Sequence, residues 1–304
     1  MTQAPALSVG LVCEPTASAV AELETGGVDS LWVGGHVASP NPTPEAMVQL
    51  ARLAAVSERV RIGTSILLLP LYAPAIVAKQ VADIDNVTGG RVTLGVGVGG
   101  EYEGEFRACQ IPLAERGSRT DEAIGVLRAL WTGEEQTLSG PHFPMESVRI
   151  HPAPRQPGGP PIVVAGRQPV AMRRAATLGD GWMPYLFSAR RYAESVSQIE
   201  GFAAAAGRDL AGFEWCAFVF VNAAADRQEA RQGAATFLGG NYRQDFDAML
   251  DRVAVAGAVD DVVAGLQAYV EAGVRHLILA PAAREDRPAV VRCLLDEVVP
   301  ALRE

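Results

Sequence analysis

Residues 60–100 read VRIGTSILLLPLYAPAIVAKQVADIDNVTGGRVTLGVGVGG. Val60–Leu69 is almost wholly apolar and predicts a strand. Pro70 and Pro74 interrupt it, because proline cannot continue a hydrogen-bonded ladder. Proline is tolerated at a helix start, so a helix is expected over Pro74–Val87. Gly89 and Gly90 stop that helix, as glycine does just past a C-cap. Val92–Val98 is a second apolar strand, running out into Gly97, Gly99 and Gly100. Two strands apolar on both faces, joined through a helix, signal a parallel sheet covered by helices.

The same alternation continues in both directions. Further strands are expected at Leu7–Cys13, Ser30–Gly34, Pro161–Ala165, Gly181–Tyr185, Phe213–Asn222 and His276–Ala280. Helical patterns fill the intervals at Ala17–Thr25, Pro44–Ser57, Ser118–Trp131, Pro169–Leu178, Ala189–Ala206, Arg227–Leu238 and Val259–Ala272, with Arg287–Leu302 closing the chain. Eight strands alternating with helices predict an α/β fold, a (β/α)8 TIM barrel, built as one domain over residues 1–304. An open doubly wound sheet is the competitor. Glu101–Gly117, Gln136–Pro160 and Gly239–Ala256 break the plain repeat and read as insertions. Loops after barrel strands form the active-site face, so Glu101–Gly117 and Gly239–Ala256 are candidates to shape a pocket there. Surface packing or a dimer contact is the alternative.

The bulk numbers fit this reading. The 304 residues suit a single barrel with insertions, and 49% hydrophobic content is enough for a large core. A net charge of −9 argues against nucleic-acid or anionic-membrane partners. Cys13, Cys109, Cys216 and Cys293 are scattered without CxxC spacing, so neither a disulfide framework nor a zinc site is expected, and the cytoplasm is the default location. The start of the chain has no secretory-signal pattern, and no apolar run is long enough to span a bilayer.

Chemistry is expected where strands end. His36 follows the second strand, on the reactive face of a barrel. Histidine titrates near neutrality and can exchange a proton; it could equally hydrogen-bond a cofactor ring. The turn Val164-Ala165-Gly166-Arg167-Gln168-Pro169 opens a helix, whose free backbone N–H groups attract phosphate. Arg167 could add a charge-assisted bond. Gly95, Gly97 and Gly100 match GxGxxG, but no helix opens directly at them, so a dinucleotide fold is not supported. In a barrel these glycines, with Gly99, would let a cofactor approach the strand end closely. Glu101, Glu103 and Glu105 follow and read as a solvated charge run with possible polar contacts. His142, His151 and His276 are expected to be structural. No Ser-His-Asp elbow, P-loop or metal-ligand signature is present.

Gly63-Thr64-Ser65-Ile66, Ala78-Lys79-Gln80, Gly89-Gly90-Arg91 and Leu94-Gly95-Val96-Gly97 together resemble the bacterial luciferase-like superfamily of flavin- and deazaflavin-dependent oxidoreductases. Within it the chain is most similar to the branch using coenzyme F420, over roughly Leu7 to Leu302. The resemblance implies a non-prolyl cis peptide at Ser65-Ile66 that supports the central cofactor ring. It implies that the Gly166-Arg167-Gln168 turn holds the cofactor phosphate, and that Gly179–Pro184 ends beside the cofactor's tail. Trp182 and Met183 then become candidate ligand contacts, with burial in the core as the alternative. Many relatives carry an acidic residue before the histidine; Gly35 stands there instead and removes a carboxylate partner for His36. The implied activity is hydride transfer between F420 and a small organic substrate. A reduced-FMN monooxygenase and a non-enzymatic relative that has lost cofactor binding are the rival readings. Relatives commonly form homodimers.

Overall fold

The computed structural model describes residues 6–283 and 286–303. Among them, eight parallel strands close into a ring. These are β1 (Ser8–Val12), β2 (Ser30–Val33), β3 (Arg61–Thr64), β4 (Val92–Gly97), β5 (Ile162–Ala165), β6 (Gly181–Met183), β7 (Glu214–Ala223) and β8 (His276–Pro281). Each pairs in parallel with its successor. Ser8 of β1 lies opposite His276 of β8, which closes the ring and excludes the open sheet. Helices α1 (Ala17–Thr25), α2 (Ala46–Val56), α3 (Pro74–Val87), α4 (Arg116–Trp131), α5 (Pro169–Leu178), α6 (Ala189–Ala205), α7 (Arg227–Tyr242) and α8 (Val259–Glu271) surround it, with a C-terminal helical run from Arg287. This is the (β/α)8 barrel that the alternation predicts.

Local chemistry sets the helix starts. Pro74 and Pro169 open α3 and α5, where the missing N–H costs nothing. The Asp226 carboxylate caps α7 by accepting from the backbone N–H groups of Gln228 and Glu229 at 2.7 and 3.0 Å. Glu45 caps α2 by accepting from Met47 and Val48, and it also accepts from the Tyr72 hydroxyl at 2.6 Å.

Side chains alternate between two apolar layers, as strand geometry requires. Trp32, Val163, Met183, Cys216 and Ile278 fill the barrel interior. Their chain neighbours, among them Leu31, Val164 and Leu277, face outward and pack under the helices with Leu50, Val81 and Leu127. Each fully buried side chain of this size contributes roughly 1.5–3 kcal/mol of transfer free energy.

The N-terminal end of the barrel is plugged by polar groups from the first residues of the strands. The Trp32 indole donates to Ser30 Oγ at 2.8 Å, and Ser30 Oγ bonds His276 Nε2 at 2.7 Å. Arg61 donates to Glu214 and to Thr93, both at 2.5 Å. His276 belongs to this plug, with its Nδ1 3.9 Å from Glu214.

Four sequence expectations are corrected here. Val60–Leu69 is not one strand: β3 breaks at Ser65-Ile66, and Leu67–Leu68 resumes pairing, with β4. Helix α7 runs through Gly239 and Gly240 to Tyr242, because Tyr242 packs on Phe220 and Phe246. Within the expected insertion Gly239–Ala256 a further strand begins, Ala254–Gly257, paired in parallel with the far half of β7. Its small residues carry no strand signature. Gln136–Pro160 contains an antiparallel hairpin, Gln136–Leu138 with Met145–Val148. The four cysteines are unpaired, and among the described residues no helix is long and apolar enough to cross a membrane.

Burial pushes the Glu214 carboxyl up, but its contacts with His276 and Arg61 outweigh this and hold it below the usual carboxylate range. A carboxyl depressed in the folded state stabilises the fold above its unfolded value and loses that contribution as pH falls through the folded one. Glu214→Gln is therefore expected to destabilise the barrel by about 1–3 kcal/mol near neutrality. The gap to the parent protein should close on acidification. Urea unfolding at a series of pH values checks this; a gap independent of pH would contradict it.

Candidate active site

A cleft of about 390 Å³ opens at the C-terminal ends of the strands, where the barrel's loops converge. The turns after β2, β3, β4, β5 and β6 supply its floor and one end. Of the residues expected from sequence, His36, Ser65, Ile66, Gly97, Gly99, Gly166, Arg167, Gln168 and Met183 all line it. Trp182 does not. Residues alternate across β6, so Met183 points into the barrel while Trp182 points outward onto Phe187 and Tyr192. Its indole donates to the Gly166 carbonyl at 2.9 Å, bracing the turn after β5 from behind.

The floor is backbone. The Ser65-Ile66 peptide is cis. A Cβ added at Gly97 would run into Ile66 Cδ1, so the glycine leaves room for the Ile66 side chain where it now lies. Ser65 Oγ is buried and has no hydrogen-bond partner among the described residues. Buried hydroxyls are normally satisfied, so an orphan lining a cleft points to a partner supplied by a ligand.

His36 is not alone. Its Nδ1 sits 3.1 and 3.2 Å from the two carboxylate oxygens of Glu105. Glu105 is almost fully buried, at 1% exposure, and also accepts from the backbone N–H groups of Val37 and Ala38 at 2.8 and 3.2 Å. With Nδ1–H donating to the carboxylate, a neutral ring keeps Nε2 as its acceptor. This corrects two sequence readings. The glutamates are not uniformly a solvated run: Glu105 is buried, Glu103 pairs on the surface with Arg107 at 3.5 Å, and Glu101 accepts from the Tyr185 hydroxyl. Nor does Gly35 leave His36 without a carboxylate. A Cβ at Gly35 would strike the backbone of Pro44 and Ala46, so no acidic side chain fits in this loop; the short helix Glu103–Ala108 delivers the carboxylate instead.

The cleft has two chemically distinct ends. Around the start of α5 lie Gly166, Arg167, Gln168, Arg116 and Arg174. Gln168 stands at the N-cap position of α5 without a side-chain capping bond, and Gly166 holds φ +137°, a conformation suited to glycine. Arg174, only 5% exposed, is tied to Asp121 and to the Gly117 carbonyl. Arg167 lies over the Tyr185 ring, 4.8 Å from its centre. The other end is aromatic, with Phe218 and Phe220 from β7 and Tyr242 from α7, and Tyr185 after β6 joins the two ends beneath Arg167. Sequence reading offered Glu105 only as a possible polar contact in a solvated run, and it missed Arg116, Arg174 and these four aromatics. The alternation of Phe218 and Phe220 along β7 was the one available signal, since it places both rings on the inward face.

The model of the luciferase-like monooxygenase family matches residues 3–276. Uncharacterized proteins of Mycobacterium bovis and Mycobacterium tuberculosis are 39% identical over 142 residues; that match spans about half of their length (48%) and 47% of this chain. An F420-dependent glucose-6-phosphate dehydrogenase of Beutenbergia cavernae is 30% identical over 308 aligned positions, covering 92% of this chain and 90% of that protein. Among solved structures, an F420-dependent secondary alcohol dehydrogenase in complex with an F420-acetone adduct superposes with a TM-score of 0.85. It is 20% identical, covers 98% of this chain and all of its own, and establishes likeness of fold. With the family match running from residue 3 to residue 276 and a relative 30% identical along nearly its whole length, the chain belongs to the luciferase-like monooxygenase family.

Proposed function

We propose that this protein is an F420-dependent oxidoreductase that moves a hydride between the deazaflavin and a small organic substrate. The observation that carries the reading is the cleft floor: an orphaned Ser65 hydroxyl and a glycine strand end beside the His36–Glu105 pair. The full-length relative whose name specifies F420 supports the choice of cofactor.

The residues present fit the group. Ser65 Oγ offers the unmet hydrogen bond, and Ile66, Gly97 and Gly99 leave a close approach to backbone. The free N–H groups at the start of α5, with Arg167 and Gln168, suit a phosphate. When bound, F420 accepts or donates a hydride at its C5. The chain's own share is orientation, exclusion of water and proton handling. In the direction of alcohol oxidation, the substrate hydroxyl loses its proton to His36 Nε2 as hydride leaves the carbon. Glu105 holds the ring through Nδ1 and stabilises the imidazolium that results. A homodimer belongs to the same proposal: Val48, Ile76 and Val87 are exposed on α2 and α3, and sedimentation velocity would test it.

Anaerobic titration with F420 and FMN, each oxidised and reduced, tests the cofactor. Stoichiometric binding of F420 alone is expected. Selective binding of reduced FMN would move the reading to oxygen activation, and binding of neither would favour a non-enzymatic relative. His36→Ala should lower kcat by about 10²–10⁴ while F420 still binds; a folded variant with normal turnover would remove the acid–base role. Arg167→Ala should weaken F420 binding by roughly tenfold or more with little change in kcat. Equilibrium titration of that variant checks it, and unchanged affinity would detach Arg167 from the phosphate.

A further inference from the structure

The plug at the N-terminal end of the barrel holds a second set of chemistry-bearing side chains, and strand register brings them together. Glu214 and Cys216 stand two residues apart on β7, so both project to the same face, the barrel interior. Cys216 lies directly opposite His276 in the parallel pairing of β7 with β8. A carboxylate oxygen, a thiol sulfur and an imidazole nitrogen thereby come within 4.8 Å of one another. Glu214 Oε2 is 3.9 Å from His276 Nδ1 and 4.0 Å from Cys216 Sγ. Cys216 and His276 are buried, at 0% and 5% exposure. No spacing along the chain announces this set, because its members meet across strands.

Two of the three are held by their far atoms, which turns the near atoms inward. His276 Nε2 bonds Ser30 Oγ at 2.7 Å, and the Trp32 indole donates to the same oxygen at 2.8 Å. In the tautomer that donates Nε2–H to Ser30, the Nδ1 lone pair faces the Glu214 carboxylate. Arg61 takes the other carboxylate oxygen, Oε1, at 2.5 Å, and leaves Oε2 toward the histidine and the cysteine. The gap between Nδ1 and Oε2 is too wide for a hydrogen bond. A histidine anchored through its second nitrogen and a carboxylate anchored through its second oxygen are the outer contacts that orient metal ligands. Zinc bonds of about 2.0 Å to nitrogen and oxygen and about 2.3 Å to sulfur require the donors to draw together by roughly 0.5–1 Å. The ion's charge is met by the carboxylate and the thiolate. The Arg61 side chain is 40% exposed, so solvent screens its charge, and that face gives the ion and a fourth ligand, water, a way in.

We infer that Glu214, Cys216 and His276 form a zinc site at the end of the barrel opposite the cleft, a clasp between β7 and β8 apart from the redox chemistry. A mixed carboxylate, thiolate and imidazole set suits zinc, whereas calcium and magnesium take oxygen ligands. As the zinc–sulfur bond forms, the Cys216 thiol gives its proton to solvent, and nothing is oxidised or reduced. The inference does not rest on the F420 reading.

The test uses the whole protein, stripped of metal with a chelator, and cobalt(II) as the spectroscopic stand-in for zinc. One equivalent should bind and bring up a near-ultraviolet thiolate-to-cobalt band together with the visible bands of tetrahedral cobalt. Zinc should displace the cobalt and raise Tm. Cys216→Ser should lose the thiolate band and the Tm shift, whereas Cys293→Ser, in the C-terminal helical run, should keep both. Ser30→Ala should weaken zinc binding by about tenfold or more through loss of the histidine's anchor. Failure of the folded parent protein to take up cobalt, uptake without the thiolate band, or a thiolate band that survives in Cys216→Ser would overturn the inference. So would a zinc-induced Tm shift no larger in the parent than in Cys216→Ser. The parent's own spectrum decides the matter even where a variant does not fold.

Discussion

Ring closure is the constraint on which everything else depends. A parallel strand buried on both faces has no solvent side, so each must be apolar outward and inward at once. Closure removes the sheet edges of the ring, except along the far half of β7, where Ala254–Gly257 supplies the missing partner. It also forces all the strand-to-helix turns to one end. His36, Ser65, Gly97, Gly166 and Met183 belong to five different strands or the turns after them, and only the ring brings them within one cleft. The polar plug at the opposite end, from Ser30 through His276 to Glu214 and Arg61, closes the interior there.

Most of the barrel was legible because period and punctuation agree. The long apolar strands, the prolines at α3 and α5 and the glycines after α3 all point to the same architecture. The starts and ends of α1, α3 and α5 read correctly to the residue. What escaped was structure fixed by tertiary contact alone. Ala254–Gly257 forms a strand because β7 offers it a free edge at Phe220–Ala223, not because its own residues favour one. Helix α7 crosses two glycines because an aromatic cluster holds its last turn.

The site divides along the same line. The residues at strand ends and in the turn before α5 stand in the positions their motifs imply, and they line one cavity. Glu105 was invisible as a partner of His36 because it lies sixty-nine residues away in a glutamate-rich stretch that looks like solvated surface. Trp182 and Met183 could not be told apart as ligand contacts until the phase of β6 was fixed. One step along a strand decides whether a side chain faces the cleft or the helices.

The separation of His36 from its carboxylate has a consequence for how this framework tolerates change. Glu105 also holds the backbone of Val37 and Ala38, so it fastens the helix Glu103–Ala108 to the loop after β2, with Tyr102 at the helix start packed edge-on against His36. The two segments form one interchangeable part. Grafting either loop by itself onto a related barrel would carry over half of a pair: a histidine with no orienting acid, or a buried carboxylate with nothing to accept from. Only the joint transplant, with Gly35 kept so that the loop can lie against Pro44, would deliver a working unit.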